Sequence, residues 1–255
     1  VLVGKGEKPD YLPLFASVAG LMVVAVLNLV CTIHENKIKK ELATELAADK
    51  AEEVKEKLKE EKQVKTVLPK EVKRSMIFML MSIFFWFAAY NAVTTAFSRY
   101  TRVVWKLEGG GFANCLMVAT VAAILSYIPI GNIAAKIGRK KTIMGGVLLM
   151  ATCYFAAIFV GSYHPLINVA FALIGVAWAA INVNSYPMIV AMSQGGDIGK
   201  FTGTYYTFSM AAQIFTPILS GFLLERVSYR TLFPYALAFS LLAFLTMTQV
   251  KHGDV

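Results

Sequence analysis

The 255-residue chain is 57% hydrophobic and carries 25 Lys and Arg for a formal charge of +9, with a mean hydropathy of +0.59. The apolar residues gather in runs of about 20, the length that crosses a hydrocarbon core of roughly 30 Å, which excludes an ordinary soluble domain. The basic residues follow a membrane-topology pattern rather than a nucleic-acid footprint, and three cysteines without a CxxC exclude a disulfide framework.

Seven spans are predicted, at 11–33, 75–97, 112–134, 142–161, 166–192, 201–224 and 231–250. A peptide group left unpaired in lipid costs several kcal/mol, so each span is expected to be a helix. A charged stretch, 34–74, separates the first span from the other six, dividing the chain into 1–33, 34–74 and 75–255. The first span lacks the layout of a signal peptide with a small-residue cleavage site. With Val1 rather than Met at the start, it is expected to be an internal span of a longer chain. In the linker, Ile38, Leu42, Leu46, Val54 and Leu58 recur every four or eight residues. Glu52, Lys55, Glu56, Lys59 and Glu60 set opposite charges at helical spacing. A solvated, partly helical tether fits this pattern, and so does an interfacial helix on anionic lipid. Pro69 is expected to end or interrupt that helix.

Beyond the linker the connections are short. Residues 98–111, with Gly109-Gly110-Gly111, read as an outer loop and 162–165 as an outer turn. Residues 193–200 read as an inner loop and 225–230 as an outer one. Such connections make sequence neighbours antiparallel, an up–down bundle. With the linker inside, the inner face holds 18 Lys and Arg, 12 of them in the linker, and the outer face seven. The six inner ones beyond the linker are Lys136, Arg139, Lys140, Lys141, Lys200 and Lys251. The positive-inside rule then puts the linker and C-terminus in the cytoplasm, in a multi-pass protein of the cell membrane.

Cys31, Cys115 and Cys153 read as small buried hydrophobes in or at the ends of spans. His34, His164 and His252 are far apart in sequence, so neither a metal site nor a cofactor is expected. The central parts of the spans contain no Asp, Glu, Lys or Arg, yet three spans are rich in other polar groups. The second holds Trp86, Tyr90, Asn91, Thr94 and Thr95. The fifth holds Trp178, Asn182, Asn184, Ser185 and Tyr186. The sixth holds Thr202, Tyr206, Ser209, Gln213 and Thr216 at steps of four, three, four and three, which makes one stripe. Polar groups in lipid are costly and should face a cavity or another helix. Amides beside aromatic rings suit a sugar, so Trp86, Tyr90, Asn182, Tyr206 and Gln213 are candidate binding residues, with Asn91 and Asn184 behind them. Trp86 and Tyr90 suit sugar stacking and plain packing equally. Asn182 and Asn184 point about 200° apart, so one is expected to bind solute and the other a neighbouring helix.

Between the third and fourth spans runs Gly131-Asn-Ile-Ala-Ala-Lys136-Ile-Gly138-Arg139-Lys140-Lys141. Gly131 would allow close helix approach, Gly138 a tight turn, and the cations would meet a helix C-terminus and anionic headgroups. The segment resembles the inter-helix signature of the major facilitator superfamily, G-x-x-x-D-R-x-G-R-[KR], with Ala135 at the acidic position and Lys136 at the first arginine. Residues 85–91, 182–187 and 199–213 resemble the glycoside–cation symporters and sucrose-transporter-like bacterial members. The resemblance implies an all-α membrane fold holding the last helix of the first half and the six-helix second half of a twelve-helix transporter. In that plan the spans ending at 33, 161 and 250 are peripheral. It also implies alternating access, a sugar or glycoside solute and coupling to protons or sodium. The partners implied are the N-terminal half of the same transporter and membrane lipids. A nucleophile–base pair or metal cluster, which a membrane enzyme would need, does not appear in the sequence. The alternative is a non-transporting scaffold or receptor-like protein.

Overall fold

The computed structural model describes residues 12–32 (of residue 29, the backbone only), 69–107, 110–193 and 198–254. The linker up to residue 68, with its apolar stripe and charge pairs, lies outside the described residues, as do His34, Gly109, Gly195 and Gly196. Two units are distinguished, Val1–Lys65 and Thr66–Val255.

The first unit contributes α1, Leu12–Thr32. Its large apolar side chains, Leu12, Phe15 and Leu21 among them, are exposed, and so is Cys31. That corrects the expectation of a buried thiol there; Cys115 and Cys153 are buried as expected. In a protein whose solvent is lipid, an apolar side chain gains little by leaving the surface.

The second unit holds six helices long and apolar enough to cross a membrane. They are α2 (Lys70–Val103), α3 (Phe112–Ile137), α4 (Arg139–Ile158), α5 (Ile167–Met192), α6 (Ile198–Arg226) and α7 (Leu232–Thr248), the last preceded by a 3-10 turn, Tyr229–Thr231. The described residues form no strand. The chain is therefore a multi-pass, all-α membrane protein. Pro69 stands at the N-cap of α2, so its missing N–H falls where a helix has no acceptor for it. α2 also runs past the expected end of its span, and Arg99 and Arg102 sit on helix rather than loop. Its last turns are held by burial of Phe97, Tyr100 and Thr101.

Contacts along the helices fix their directions. α2 and α7 are antiparallel: Ser75 meets His252, Ser82 meets Thr246, and Phe97 meets Phe233. α2 and α6 run parallel, through Phe84 with Phe215, Thr216 with Ala88, and Arg99 with Glu225. Directions alternate along the chain as the short loops require. Packing partners mostly skip along the chain, α4 and α5 excepted: α3 lies on α5, α5 on α4, α4 on α7, α7 on α2 and α2 on α6. Apart from α4 and α5, sequence neighbours scarcely touch, because a loop fixes direction while small residues decide which helices close up. A Cβ on Gly175 of α5 would overlap the Ala119 carbonyl of α3, and one on Gly146 of α4 would lie 2.8 Å from the Ala177 carbonyl of α5. Gly131 is not such a point, since its Cβ would meet only Val183 Cγ1 at 4.0 Å.

One end of this unit gathers Lys70, Lys73, Arg74, Lys136, Arg139, Lys140, Lys141, Lys200 and Lys251. The other carries Arg99, Arg102, Lys106, Arg226 and Arg230. The described residues thus keep the asymmetry without the rest of the linker.

Candidate functional site

Polar and aromatic side chains converge in two places. Where α2 meets α5, Tyr90 stacks on Trp178 with ring centroids 3.8 Å apart and planes 6° from parallel. Phe87 meets the same indole edge-on at 5.2 Å. Tyr90 and Trp178 are both half-buried, so the stack keeps an edge at the surface. One turn on, Asn182 donates an amide N–H to the Trp178 carbonyl at 3.2 Å, and Asn91 donates to the Phe87 carbonyl at 2.8 Å. Each amide ties one donor to its own helix, which orients its oxygen as an acceptor.

Where α5 meets α6, the Ser185 and Tyr205 hydroxyls lie 3.2 Å apart, and those of Tyr186 and Thr202 3.0 Å apart. Tyr205 packs edge-on against Tyr206 at 5.3 Å. Tyr206 is half exposed. Gln213 is exposed and donates to the Ser209 carbonyl at 3.4 Å.

The α6 stripe does not stay on one face. At about 100° per residue, Tyr206 and Gln213 lie about 40° and 20° to one side of Thr202, and Ser209 and Thr216 about 20° and 40° to the other. The first pair is exposed and the second buried. Thr216 turns toward α2, with its Oγ1 3.5 Å from the Ala88 carbonyl. The same arithmetic separates Trp86 from Tyr90: one turn shifts the direction by about 40°. Trp86 is fully buried, and its indole N–H has no hydrogen-bond partner. Asn184 is buried too and donates to the Ala180 carbonyl at 2.8 Å. It bonds its own helix, not a neighbouring one. Tyr90 therefore joins Trp178, with Asn91 beside it on α2 and Asn182 one turn from Trp178 on α5, while Tyr206 and Gln213 share the exposed edge of α6 and Trp86 and Asn184 belong to the interior. Trp178 completes the first cluster without having been a candidate. Its signal was present, four residues before Asn182 on the same helix face.

At the more basic end, termed inner after the expected orientation and its opposite outer, Gly138 joins α3 to α4 with φ +94°, and a Cβ there would fall 2.9 Å from the Asp254 carboxylate. Asp254 accepts from the backbone N–H of Lys140 at 3.0 Å. The Lys140 ammonium donates to the carbonyls of Thr248 and Val250 at the end of α7, where a helix leaves carbonyls unpaired. The acid absent at Ala135 thus has a counterpart at the same end of the bundle, supplied by the C-terminal segment. Lys140 is a tie between helices, whereas Lys136 is exposed and Arg139 half-buried. The described residues contain no group of His, Cys, Asp and Glu that could hold a metal.

Residues 110–252, more than half of the chain, match the family profile of the Major Facilitator Superfamily. The chain is also similar to the chloramphenicol resistance protein CraA of Acinetobacter baumannii (strain ATCC 19606), with 26% identity over 201 residues. That alignment covers 74% of this chain and 46% of the relative, so the chain spans about half the length of the curated protein it matches.

Proposed function

We infer the function of this chain from one premise: it belongs to the Major Facilitator Superfamily. Residues 75–255 are one six-helix wall of a secondary transporter, 1–33 carry the last helix of the other half, and 34–74 are a cytoplasmic linker. Solute binds between the two bundles and is released on either side as they rock. The observation that carries the solute class is a face with rings and amides but no charge. Tyr90 and Trp178 offer flat apolar surface, and Asn91, Asn182, Tyr206 and Gln213 offer directional polar groups. A sugar or glycoside matches both, with coupling to protons or sodium through groups outside these spans. The resemblance of residues 85–91, 182–187 and 199–213 to the glycoside–cation branch supports the same class. A second reading, export of a drug, is favoured by the likeness to a chloramphenicol resistance protein.

Proteoliposomes carrying the chain together with the N-terminal half of the same transporter, and loaded with unlabelled sucrose, test the two. Saturable counterflow of labelled sucrose, absent from empty liposomes, is expected. Chloramphenicol flux without sucrose flux would replace the first reading with the second. In the same assay Asn182→Ala and Gln213→Ala should each weaken apparent affinity about five- to 150-fold, the effect of losing a hydrogen-bond partner worth about 1–3 kcal/mol. Unchanged affinity in both, at normal abundance, would make these amides helix contacts. Orientation is tested by labelling cysteines placed at Lys141 and Ser162 in a cysteine-free background. An impermeant reagent on intact cells should reach position 162 and not 141.

A further inference from the structure

Below the stacked pair, on the side toward α3, a cavity of about 200 Å³ enters the bundle between α2 and α3. Its floor is Val93, Ala119, Tyr154, Phe171 and Ile174, all buried. Its mouth is Tyr90, Thr94, Leu116 and Thr120, which are half-buried or exposed. The floor is apolar except at one atom. Tyr154 lies on α4, a span poor in polar groups, and its side chain is fully buried. Its phenol oxygen makes no hydrogen bond. The two threonine hydroxyls at the mouth are already engaged: Thr94 donates to the Tyr90 carbonyl at 3.2 Å and Thr120 to the Leu116 carbonyl at 2.9 Å. A buried O–H without a partner is destabilising, and a native fold that keeps one beside an open cavity holds a donor in readiness.

We propose that this cavity is a binding site for a small uncharged molecule of one aromatic ring and one hydrogen-bond acceptor, held by the Tyr154 hydroxyl. Size sets the ring count: an apolar cavity of about 150 Å³ admits benzene, and drug-sized ligands take about 300–1,000 Å³. The walls set the shape, because Tyr90, Tyr154 and Phe171 present rings that favour offset or edge-on contact with another ring. The floor sets the charge, since it contains no ionic partner and a buried unpaired ion is far too costly. The site shares Tyr90 with the transport proposal but extends inward from it to Tyr154, and it is measured without transport.

The test uses 4-fluoroacetophenone, whose carbonyl is the acceptor, and the hydrocarbon of the same shape, 4-fluoro-α-methylstyrene. Each is titrated by ¹⁹F NMR into purified protein in nanodiscs, with empty nanodiscs subtracting partition into lipid. The ketone is expected to bind roughly tenfold more tightly than the hydrocarbon, the factor one neutral hydrogen bond supplies. Tyr154→Phe, which removes only the oxygen, should abolish that preference and leave hydrocarbon affinity unchanged. Thr120→Trp, at the exposed rim, should block both probes. Equal affinity for the two probes, or a preference that survives Tyr154→Phe, would overturn the proposal and leave a lipid-filled crevice. Binding that persists unchanged in Thr120→Trp would overturn it as well, by placing the probes elsewhere.

Discussion

The two ends of the six-helix unit are held together by different physics. At the outer end, Phe97, Tyr100, Trp105, Phe171 and Phe233 are all buried against one another. Phe97 lies 4.6 Å from Phe171, and Tyr100 lies 5.0 Å from Phe233. A part-buried directional bond ties this cluster to the chain just after α4, from the Trp105 indole N–H to the Val160 carbonyl at 3.1 Å. At the inner end, the segment after α7 is stitched to α2 and α4 by single polar bonds. His252 Nδ1 lies 2.9 Å from the Ser75 hydroxyl, which also accepts from the Lys251 N–H at 3.1 Å. Lys140 and Asp254 form the second stitch. Between them Gly253, at φ +88°, passes so close to α5 that a Cβ would meet the Met188 carbonyl at 2.8 Å. Ring packing is non-directional and shared by several helices, so it resists small displacements. Single hydrogen bonds are directional, and each can be lost without the others.

The largest effect should follow from emptying the outer cluster. Phe97→Ala removes a fully buried ring and should cost about 3–5 kcal/mol, seen as a lower melting temperature in nanodiscs. Lys140→Met and Asp254→Ala should each cost less, about 1–2 kcal/mol, because each removes hydrogen bonds from a partly hydrated site. Combined, they should cost less than their sum, since both hold the 138–140 turn against the end of α7. If either alone costs as much as Phe97→Ala, the tail is the principal brace and the contrast between the ends fails. Additive losses would instead make Lys140 and Asp254 separate supports.

Hydropathy alone located all six long helices, because the length and polarity of a lipid-spanning helix are set by the bilayer. Their packing order was not visible in it. That order depends on which small residue faces which helix, and Gly175 and Gly146 carry no mark that Gly131 lacks. For the candidate site, residue type and spacing pointed to α2, α5 and α6, the helices on which the polar and aromatic side chains gather. They did not say which edge of each helix would be covered. A stripe only some 80° wide was enough to send Ser209 and Thr216 inward and leave Tyr206 and Gln213 outside. Trp86 illustrates the limit best: an aromatic residue with a polar atom looks the same in sequence whether it greets a solute or fills a core. The inner tie was invisible for another reason. Lys140 and Asp254 are 114 residues apart, and each reads locally as an ordinary headgroup-facing charge.

The smallest effect separates directional bonding from packing at the outer end itself. Arg99 donates to Glu225 at 2.9 Å, but the two side chains are 66% and 56% exposed. Glu225 stands in the last turn of α6, where its charge is disfavoured by the unpaired carbonyls. Arg99 relieves part of that repulsion, and the ordering of two long side chains opposes the gain. An exposed pair of this kind contributes about 0–1 kcal/mol, less as salt screens it. Arg99→Gln should therefore shift the melting temperature by no more than a degree or two at physiological salt, and raising the salt should leave the wild type almost unmoved. Glu225→Gln should be neutral or slightly stabilising, because it removes the charge that the helix end disfavours. A loss as large as that of Lys140→Met would mean that the outer end also relies on single polar bonds, and the aromatic cluster would then be filling rather than brace.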